Sequence, residues 1–218
     1  MYLLDFTVRS SCGLSAVATR TDASLFILDV FRMEPSVNSV AALTLSRDLG
    51  EIRKALSSDF TKFRIEADRK ATLITGRKKG HGVMDAIILG GGTLVFPVIA
   101  TGGTERFRVI VSSRGDAEGI MSSVERLNDI EAYTYQRCSA HEALELMTLR
   151  GFTPYALGLT ETEWRIMKSA YLHGFYSWPR ELDADSIGSM FNISKVTALY
   201  HLRRAEGKIV RAIVERFT

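Results

Sequence analysis

Residues 183–206 read DADSIGSMFNISKVTALYHLRRAE, and this stretch decides the architecture of the C-terminal part of the chain. Asp183 and Ser194 suit the position before a helix, where a side-chain oxygen accepts a hydrogen bond from a free backbone N–H. Between the two predicted helices, Asn192 suits a tight turn because asparagine tolerates a left-handed backbone. The pattern predicts two helices joined by a turn of three or four residues, which is the helix-turn-helix arrangement.

The second of these helices has two faces. Its core stripe, with apolar residues three or four positions apart, comprises Ala198, Leu202, Ala205, Ile209 and Ile213. The opposite face comprises Lys195, Val196, Leu199, Tyr200, Arg203 and Arg204. From residue 192 onward six Lys or Arg stand against two Glu, whereas the whole chain has 28 Lys and Arg against 25 Asp and Glu. A short basic segment in a nearly neutral protein is typical of a nucleic-acid interface.

Double-stranded DNA is therefore the predicted partner of this helix, because a helix fits the major groove and its N-terminal residues reach base edges. The predicted contact residues are Arg180, Ser194, Lys195, Val196, Thr197, Leu199, Tyr200, Arg203, Arg204 and Lys208. Three of these residues have an alternative role to DNA contact. Val196 and Leu199 suit either thymine methyl groups or a protein interface, and Thr197 suits either DNA or internal packing.

Upstream, Thr160-Glu161-Thr162-Glu163 has the spacing of a capping box and predicts a helix that runs to Leu172. This motif, with Gly174-Phe175-Tyr176, Pro179-Arg180 and His201-Leu202-Arg203-Arg204-Ala205-Glu206, resembles the bacterio-opsin activator type of helix-turn-helix. That family consists of archaeal transcriptional regulators. The resemblance covers about residues 152–217 and implies a DNA-binding regulator in the cytoplasm, with an N-terminal region that senses or assembles.

The first 136 residues contain the order strand-helix-strand-strand-helix-strand twice. We predict an α+β fold with two tandem ferredoxin-like units, residues 1–68 and 69–136, followed by a connecting helix in 137–151 and the all-α helix-turn-helix domain in 152–218. The topology is similar to small ACT-like ligand-sensing modules, although no motif carries that similarity. It favours a small-molecule effector or oligomerisation as the role of the N-terminal region.

One basic stretch, residues 76–82 with the sequence GRKKGHG, precedes a predicted helix N-terminus and is a candidate site for an anionic ligand. Its candidate ligand residues are Arg77, Lys78, Lys79 and His81. The alternative is a solvated basic loop without a binding role. The stretch lacks the Gly-Lys-Ser/Thr ending of a P-loop, so it does not indicate nucleotide hydrolysis.

Other classes of protein find little support. Cys12 and Cys138 cannot form a disulfide framework, and the four histidines lack the spacing of a metal site. No nucleophile and base form a catalytic pattern, so we expect no enzyme activity, cofactor or metal. Residues 86–104 are uncharged but contain two glycine turns and Pro97, which favours a helix end and a strand over a membrane span.

Two other hypotheses remain open at this stage. In one, the chain is a metabolite-binding module whose C-terminal helices bind a protein partner, and the apolar Val196 and Leu199 favour it. In the other, the ferredoxin-like pair is the scaffold of an enzyme, and only the basic stretch of residues 76–82 supports this hypothesis. We also expect a homodimer, because many helix-turn-helix proteins read two half-sites as dimers.

Overall fold

The computed structural model describes residues 1–34, 36–148, 154 and 157–217. The chain divides into two units, Met1–Gly151 and Phe152–Thr218. The strands of the first unit are β1 (Tyr2–Arg9), β2 (Leu25–Glu34), β3 (Val37–Thr44), β4 (Phe60–Ala67), β5 (Thr72–Lys79), β6 (Thr93–Thr101), β7 (Thr104–Val111) and β8 (Asp129–Arg137). Its helices are α1 (Gly13–Thr21), α2 (Leu49–Leu56), α3 (Val83–Leu89), α4 (Arg114–Glu125) and α5 (Ala140–Thr148).

All eight strands form one antiparallel sheet in the order β4-β5-β3-β2-β6-β7-β1-β8. The predicted α+β class and the order of elements along the chain are confirmed. Two separate ferredoxin-like units are not confirmed. In such a unit the first strand lies between the third and fourth strands of the same unit, but here β5 lies between β3 and β4, and β1 lies between β7 and β8. Each half of the sheet thus contains the first strand of the other half.

The physical reason lies in the similarity of the two strands. Both β1 and β5 have eight residues, and both direct alternate side chains into the core, as Phe6 and Ile74 do. Either strand can therefore form the backbone hydrogen bonds and fill the core at either position in the sheet. The local sequence pattern does not specify which strands β1 and β5 pair with. The two halves meet where β2 pairs with β6, from Leu25 opposite Ala100 to Ile27 opposite Val98.

Helices cover both faces of this sheet to different extents. The main core combines residues of α1, α2, α3 and α4 with residues such as Val109 and Val111 on the sheet. Ile110 lies between these two on β7 and points to the opposite face, where it joins Ala143 of α5 in a smaller apolar cluster. The predicted capping box of α5 is present between Ser139 and Glu142, whereas the predicted end of this helix at residues 150–151 lies outside the described residues.

The uncharged stretch 86–104 contains the end of α3, a glycine turn and β6, as the sequence predicts. Among the residues that the structure describes, no helix combines the length and the apolar character that a membrane crossing requires.

Crosslinking tests the exchange of strands. Thr7 of β1 lies opposite Arg106 of β7, so the double variant Thr7→Cys, Arg106→Cys is expected to form a disulfide on mild oxidation, because paired strands bring Cα atoms within bridging distance. In an unexchanged sheet Thr7 would take the place of Arg77, which lies opposite Ser39. The matched control Thr7→Cys, Ser39→Cys should therefore stay reduced. Peptide mapping by mass spectrometry distinguishes the two, and a 7–39 disulfide would refute the exchange.

Candidate DNA-binding site

Three helices build the second unit: α6 (Glu161–Leu172), α7 (Ala184–Met190) and α8 (Lys195–Phe217). Each begins directly after a residue whose side-chain oxygen accepts a hydrogen bond from the backbone N–H three positions ahead, namely Thr160, Asp183 and Ser194. These are the predicted caps, and Thr160 and Glu163 form the complete reciprocal capping box.

The turn between α7 and α8 holds the two helices close together. Asn192 has φ of 53°, the left-handed conformation that the sequence predicts there. The backbone N–H of Ile193 donates to the carbonyl oxygen of Gly188 at 2.9 Å. A β carbon at residue 188 would lie 2.7 Å from the carbonyl oxygen of Ile193, so this crossing requires glycine.

One side of α8 is buried in the core of the unit, but Ile213 of the predicted core stripe is 41% exposed and does not belong to this core. The buried residues of that core are Ile166, Ala170, Phe175, Ala184, Ile187, Ala198 and Leu202. Leu199, which the sequence assigns to the DNA face, is half-buried and packs against this core. Thr197 is half-buried as well, and its hydroxyl lies 2.8 Å from that of Ser194, in agreement with the alternative of internal bonding.

The other side of α8 is exposed over its first three turns. Val196 is 75% exposed and Tyr200 is 53% exposed, although both are large apolar or aromatic side chains. Arg203 and Arg204 follow on the same side, because residues four, seven and eight positions after Val196 share its helix face. Gly207 continues this side, with no atom within 4 Å of where its β carbon would lie. The result is a solvent-facing strip with an apolar start and a basic centre.

Lys195 and Arg203, which lie on or beside this strip, each have an acidic partner. Lys195 Nζ lies 2.6 Å from Asp185 Oδ2, and Arg203 Nη1 lies 3.0 Å from Glu206 Oε2. These pairs are exposed, and exposed ion pairs contribute at most about 1 kcal/mol, so a phosphate can replace the carboxylate at small cost. The pairing of Lys195 with Asp185 could not be predicted from the sequence, since Asp185 lies on another helix and only the fold brings the two side chains together.

Glu163 of α6 differs from these acids because it is 98% buried, with 2% of its surface exposed. It accepts a hydrogen bond from Lys208 Nζ at 2.5 Å, and its other oxygen lies 3.5 Å from Arg204 Nε. Burial opposes its ionisation, but the hydrogen bonds from Lys208 and from the backbone of Thr160 outweigh burial and hold the pKa of Glu163 below its ordinary value of 4.5. Lys208, a predicted phosphate contact, thus links α8 to α6 in the free protein.

Two aromatic rings position arginines of this unit. Arg204 Nη1 donates to Tyr200 Oη at 2.7 Å, and its guanidinium lies 5.4 Å from the centre of the Tyr200 ring. Arg180 is exposed, and its guanidinium lies 4.5 Å above the ring of Phe175. Such stacking holds a guanidinium in one orientation while its N–H groups stay free for an acceptor such as phosphate.

The four basic residues predicted as a ligand site in the first unit do not lie together. Residues 77–79 belong to β5, so alternation along the strand sends Lys78 into the core side and leaves Arg77 and Lys79 exposed. Lys78 and His81 are brought together, since both lie within 3.4 Å of Asp59. Because residues 77–79 belong to β5, the basic loop that remains is shorter than the sequence suggests.

Comparisons with known proteins agree with this geometry. Residues 159–211 match a family model described as "HTH DNA binding domain". This part of the chain is a helix-turn-helix of the bacterio-opsin activator type. The chain is also 27% identical over 126 residues to the "Bacterioopsin transcriptional activator" of Halobacterium salinarum, a match that covers 57% of this chain and 18% of that protein. No solved structure matches the chain.

Glu163 gives a testable pH dependence. Because its pKa is lower in the folded than in the unfolded protein, its contribution to stability is present above about pH 4.5 and is lost as the pH falls through the folded value. We expect Glu163→Gln to lower the free energy of unfolding by about 1–3 kcal/mol at pH 7, because Lys208 loses its buried anionic partner. The difference from wild type should shrink in acid.

Chemical denaturation of both proteins at neutral and acidic pH measures this difference. Glu215→Gln is the matched control, because Glu215 is an exposed carboxylate on the same helix α8. An equal loss of stability in the Glu163 and Glu215 variants would refute the structural role of the Glu163 pair.

Proposed function

We propose that the protein is a transcriptional regulator that binds double-stranded DNA with the exposed face of α8 in the major groove. The observation that carries the proposal is the strip formed by Val196, Tyr200, Arg203 and Arg204, on a helix whose opposite side is buried. The family match over residues 159–211 and the similarity to a transcriptional activator support the same function. A regulator of this kind acts inside the cell, where the DNA is.

Each exposed residue has a role in this proposal. Val196 lies in the first turn of α8, where side chains reach base edges, and its methyl groups suit the C5-methyl group of thymine. Arg203 and Arg204 bind phosphates, and Tyr200 holds the guanidinium of Arg204 in place for that contact. Lys195 precedes Val196 in the first turn of α8, and Arg180 lies over Phe175 before α7; in this proposal both add phosphate contacts, while Ser194 caps α8.

Regulation in this proposal involves the first unit and a second copy of the chain. Val210 and Ile213 of α8 lie beyond the buried core and are 60% and 41% exposed, which suits a helix that pairs with its counterpart in a homodimer. Such a dimer reads two half-sites about 34 Å apart. We further propose that the first unit, joined through residues 137–151, senses a small molecule.

Salt dependence tests the phosphate contacts. Replacing Arg203 and Arg204 by Ala is expected to weaken binding to every DNA sequence and to reduce the slope of log affinity against log salt by up to about 2, because two phosphate contacts are lost. The matched control Arg203→Lys, Arg204→Lys keeps both charges and should keep the slope. Fluorescence anisotropy with duplex DNA at several salt concentrations measures both.

Either of two outcomes would count against the proposal. An unchanged salt slope in the alanine variant would show that α8 does not lie in the groove. Absence of salt-dependent binding by the wild-type protein would favour the alternative that the exposed Val196 and Tyr200 contact a protein partner instead.

The position of Val196 leads to a separate prediction about the DNA sequence that the protein prefers. Val196→Ser removes the methyl groups and adds a hydroxyl without a change of charge, so the salt slope should stay at the wild-type value. The preference for thymine at one position of the half-site should weaken by about 1–3 kcal/mol. Selection of binding sites from a randomised duplex library by both proteins measures this change, and identical selected sites would exclude Val196 from base contact.

A further inference from the structure

The hairpin of β4 and β5 in the first unit concentrates positive charge that the DNA-binding proposal does not use. Residues 60–79 contain seven Lys or Arg against two Asp or Glu, a net charge of +5 in a chain whose net charge is +3. Alternation along the two strands buries Lys78 and leaves four basic side chains on the other face of the sheet, namely Lys62, Arg64, Arg77 and Lys79. This face of the hairpin is therefore strongly basic.

An aromatic side chain lies in line with these cations. Phe31 of β2 is paired with Ser39 of β3, Ser39 with Arg77 of β5, and Arg77 with Lys62 of β4. Residues paired directly across strands project from the same face, so the four form one row over four adjacent strands. Phe31 is 70% exposed, and Arg77 and Lys62 are exposed as well. Helix α5 lies on the same face of the sheet but packs against β6 and β7.

Lys62 and Arg77 are two cations in directly opposite positions, and like charges so placed destabilise a sheet. The neighbouring Arg64 has an acidic partner, with Nε 2.7 Å from Glu66 Oε1. Within the described part of the chain, Lys62 and Arg77 form no ion pair. Both line a shallow depression of about 330 Å³ on this face, together with Ser39. A bound anion would offset the repulsion between the two cations.

Protection of an exposed sheet edge accounts for only part of this charge. Strand β4 lies at the edge of the sheet, and charged side chains on an edge strand prevent its pairing with another chain. This role suits Lys62 and Arg64. It does not explain Arg77 and Lys79, because β5 has a strand on either side, nor the exposed ring of Phe31 on the interior strand β2. The row therefore fits a ligand that combines negative charge with a flat apolar surface.

We propose that this face of the first unit binds single-stranded nucleic acid, with an unpaired base stacked on Phe31 and neighbouring phosphates at Arg77 and Lys62. Every base presents a flat π face to an aromatic side chain, and exposed aromatic rings on antiparallel sheets bind single strands in this way. In a duplex the bases are stacked on one another, so a duplex uses the cations but not the ring. An acidic protein segment would likewise leave the ring unused. This site is separate from the DNA-binding face of α8.

Fluorescence anisotropy with four labelled probes tests the nature of the ligand. The probes are oligothymidylate, oligouridylate and a duplex, each of about 12 nucleotides, and polyglutamate. The protein is the full chain with Arg203→Ala and Arg204→Ala, which weakens the contribution of α8. We expect at least one single strand to bind in a salt-dependent manner and at least about fivefold more tightly than the duplex, because base stacking on a ring is available to it alone. The tighter of the two single strands identifies DNA or RNA as the natural ligand.

Two results would overturn the proposal. One is a duplex or a polyglutamate that binds as tightly as the tighter single strand, and the other is the absence of single-strand binding at low salt. Neither result bears on the contact between α8 and duplex DNA, which the wild-type chain and its arginine variants test separately. Failure of the α8 proposal likewise leaves this one standing, because the variants below change residues of the first unit and are measured with single strands.

Phe31→Leu tests the stacking contact. Leucine keeps an apolar side chain and leaves every charge in place, but it removes the ring. The affinity for the single strand should therefore fall at least about fivefold while the salt slope stays the same. Tyr133→Leu is the matched control, since Tyr133 is a 48% exposed aromatic residue on β8 at the opposite edge of the sheet. Equal affinities of the Phe31 variant and its parent would refute the stacking site.

The double variant Lys62→Gln, Arg77→Gln tests the phosphate contacts. The slope of log affinity against log salt should fall by up to about 1.4, because each phosphate contact to a single strand contributes about 0.7. The unfolding temperature should stay equal or rise, since two opposed cations are removed. Arg53→Gln, Lys54→Gln is the matched control, because it removes the same charge from exposed positions of α2. An unchanged slope, or an equal fall in both variants, would show that this face does not bind the strand, and Phe31→Leu decides if the double variant fails to fold.

Discussion

The exchange of β1 and β5 is the constraint on which the first unit depends. Each four-stranded half of the sheet lacks a strand until the other half supplies it, so neither half has a complete set of backbone hydrogen bonds alone. The core continues across the sheet for the same reason, since Phe6 and Ile74 belong to one apolar cluster. A small cleft lined by Asn38, Lys78 and Glu105 follows from this arrangement, because its wall combines strands from both halves of the chain.

The second unit depends on a different interaction, the buried carboxylate of Glu163. Glu163 completes the capping box of α6 and also binds Lys208 of α8, so one side chain fixes the start of one helix against the middle of another. The basic strip on α8 is thereby attached to a rigid support. The exposed pairs of Lys195 and Arg203 differ, because their carboxylate partners can give way to phosphates without loss of the fold.

Local patterns predicted much of this structure. Capping residues such as Thr160, Asp183 and Ser194 fix where the C-terminal helices begin, and these signals lie within four residues of sequence. The partners of β1 and β5 could not be predicted, since two strands of equal length and alternation satisfy the same positions. The division of α8 into a buried and an exposed side was predicted in outline. Periodicity alone could not show that Leu199 packs inward or that Lys208 is bound by a buried acid from another helix.

The strand exchange also has a consequence for synthesis of the chain on the ribosome. Tyr2 pairs with Arg137, so β1 finds its outer neighbour only after more than a hundred further residues have been made. Contacts so distant in sequence slow folding, and they leave hydrophobic strands exposed in the meantime. The nascent strand β1 is therefore a segment that depends on protection, by its neighbouring helices or by chaperones, until translation of the sheet is complete.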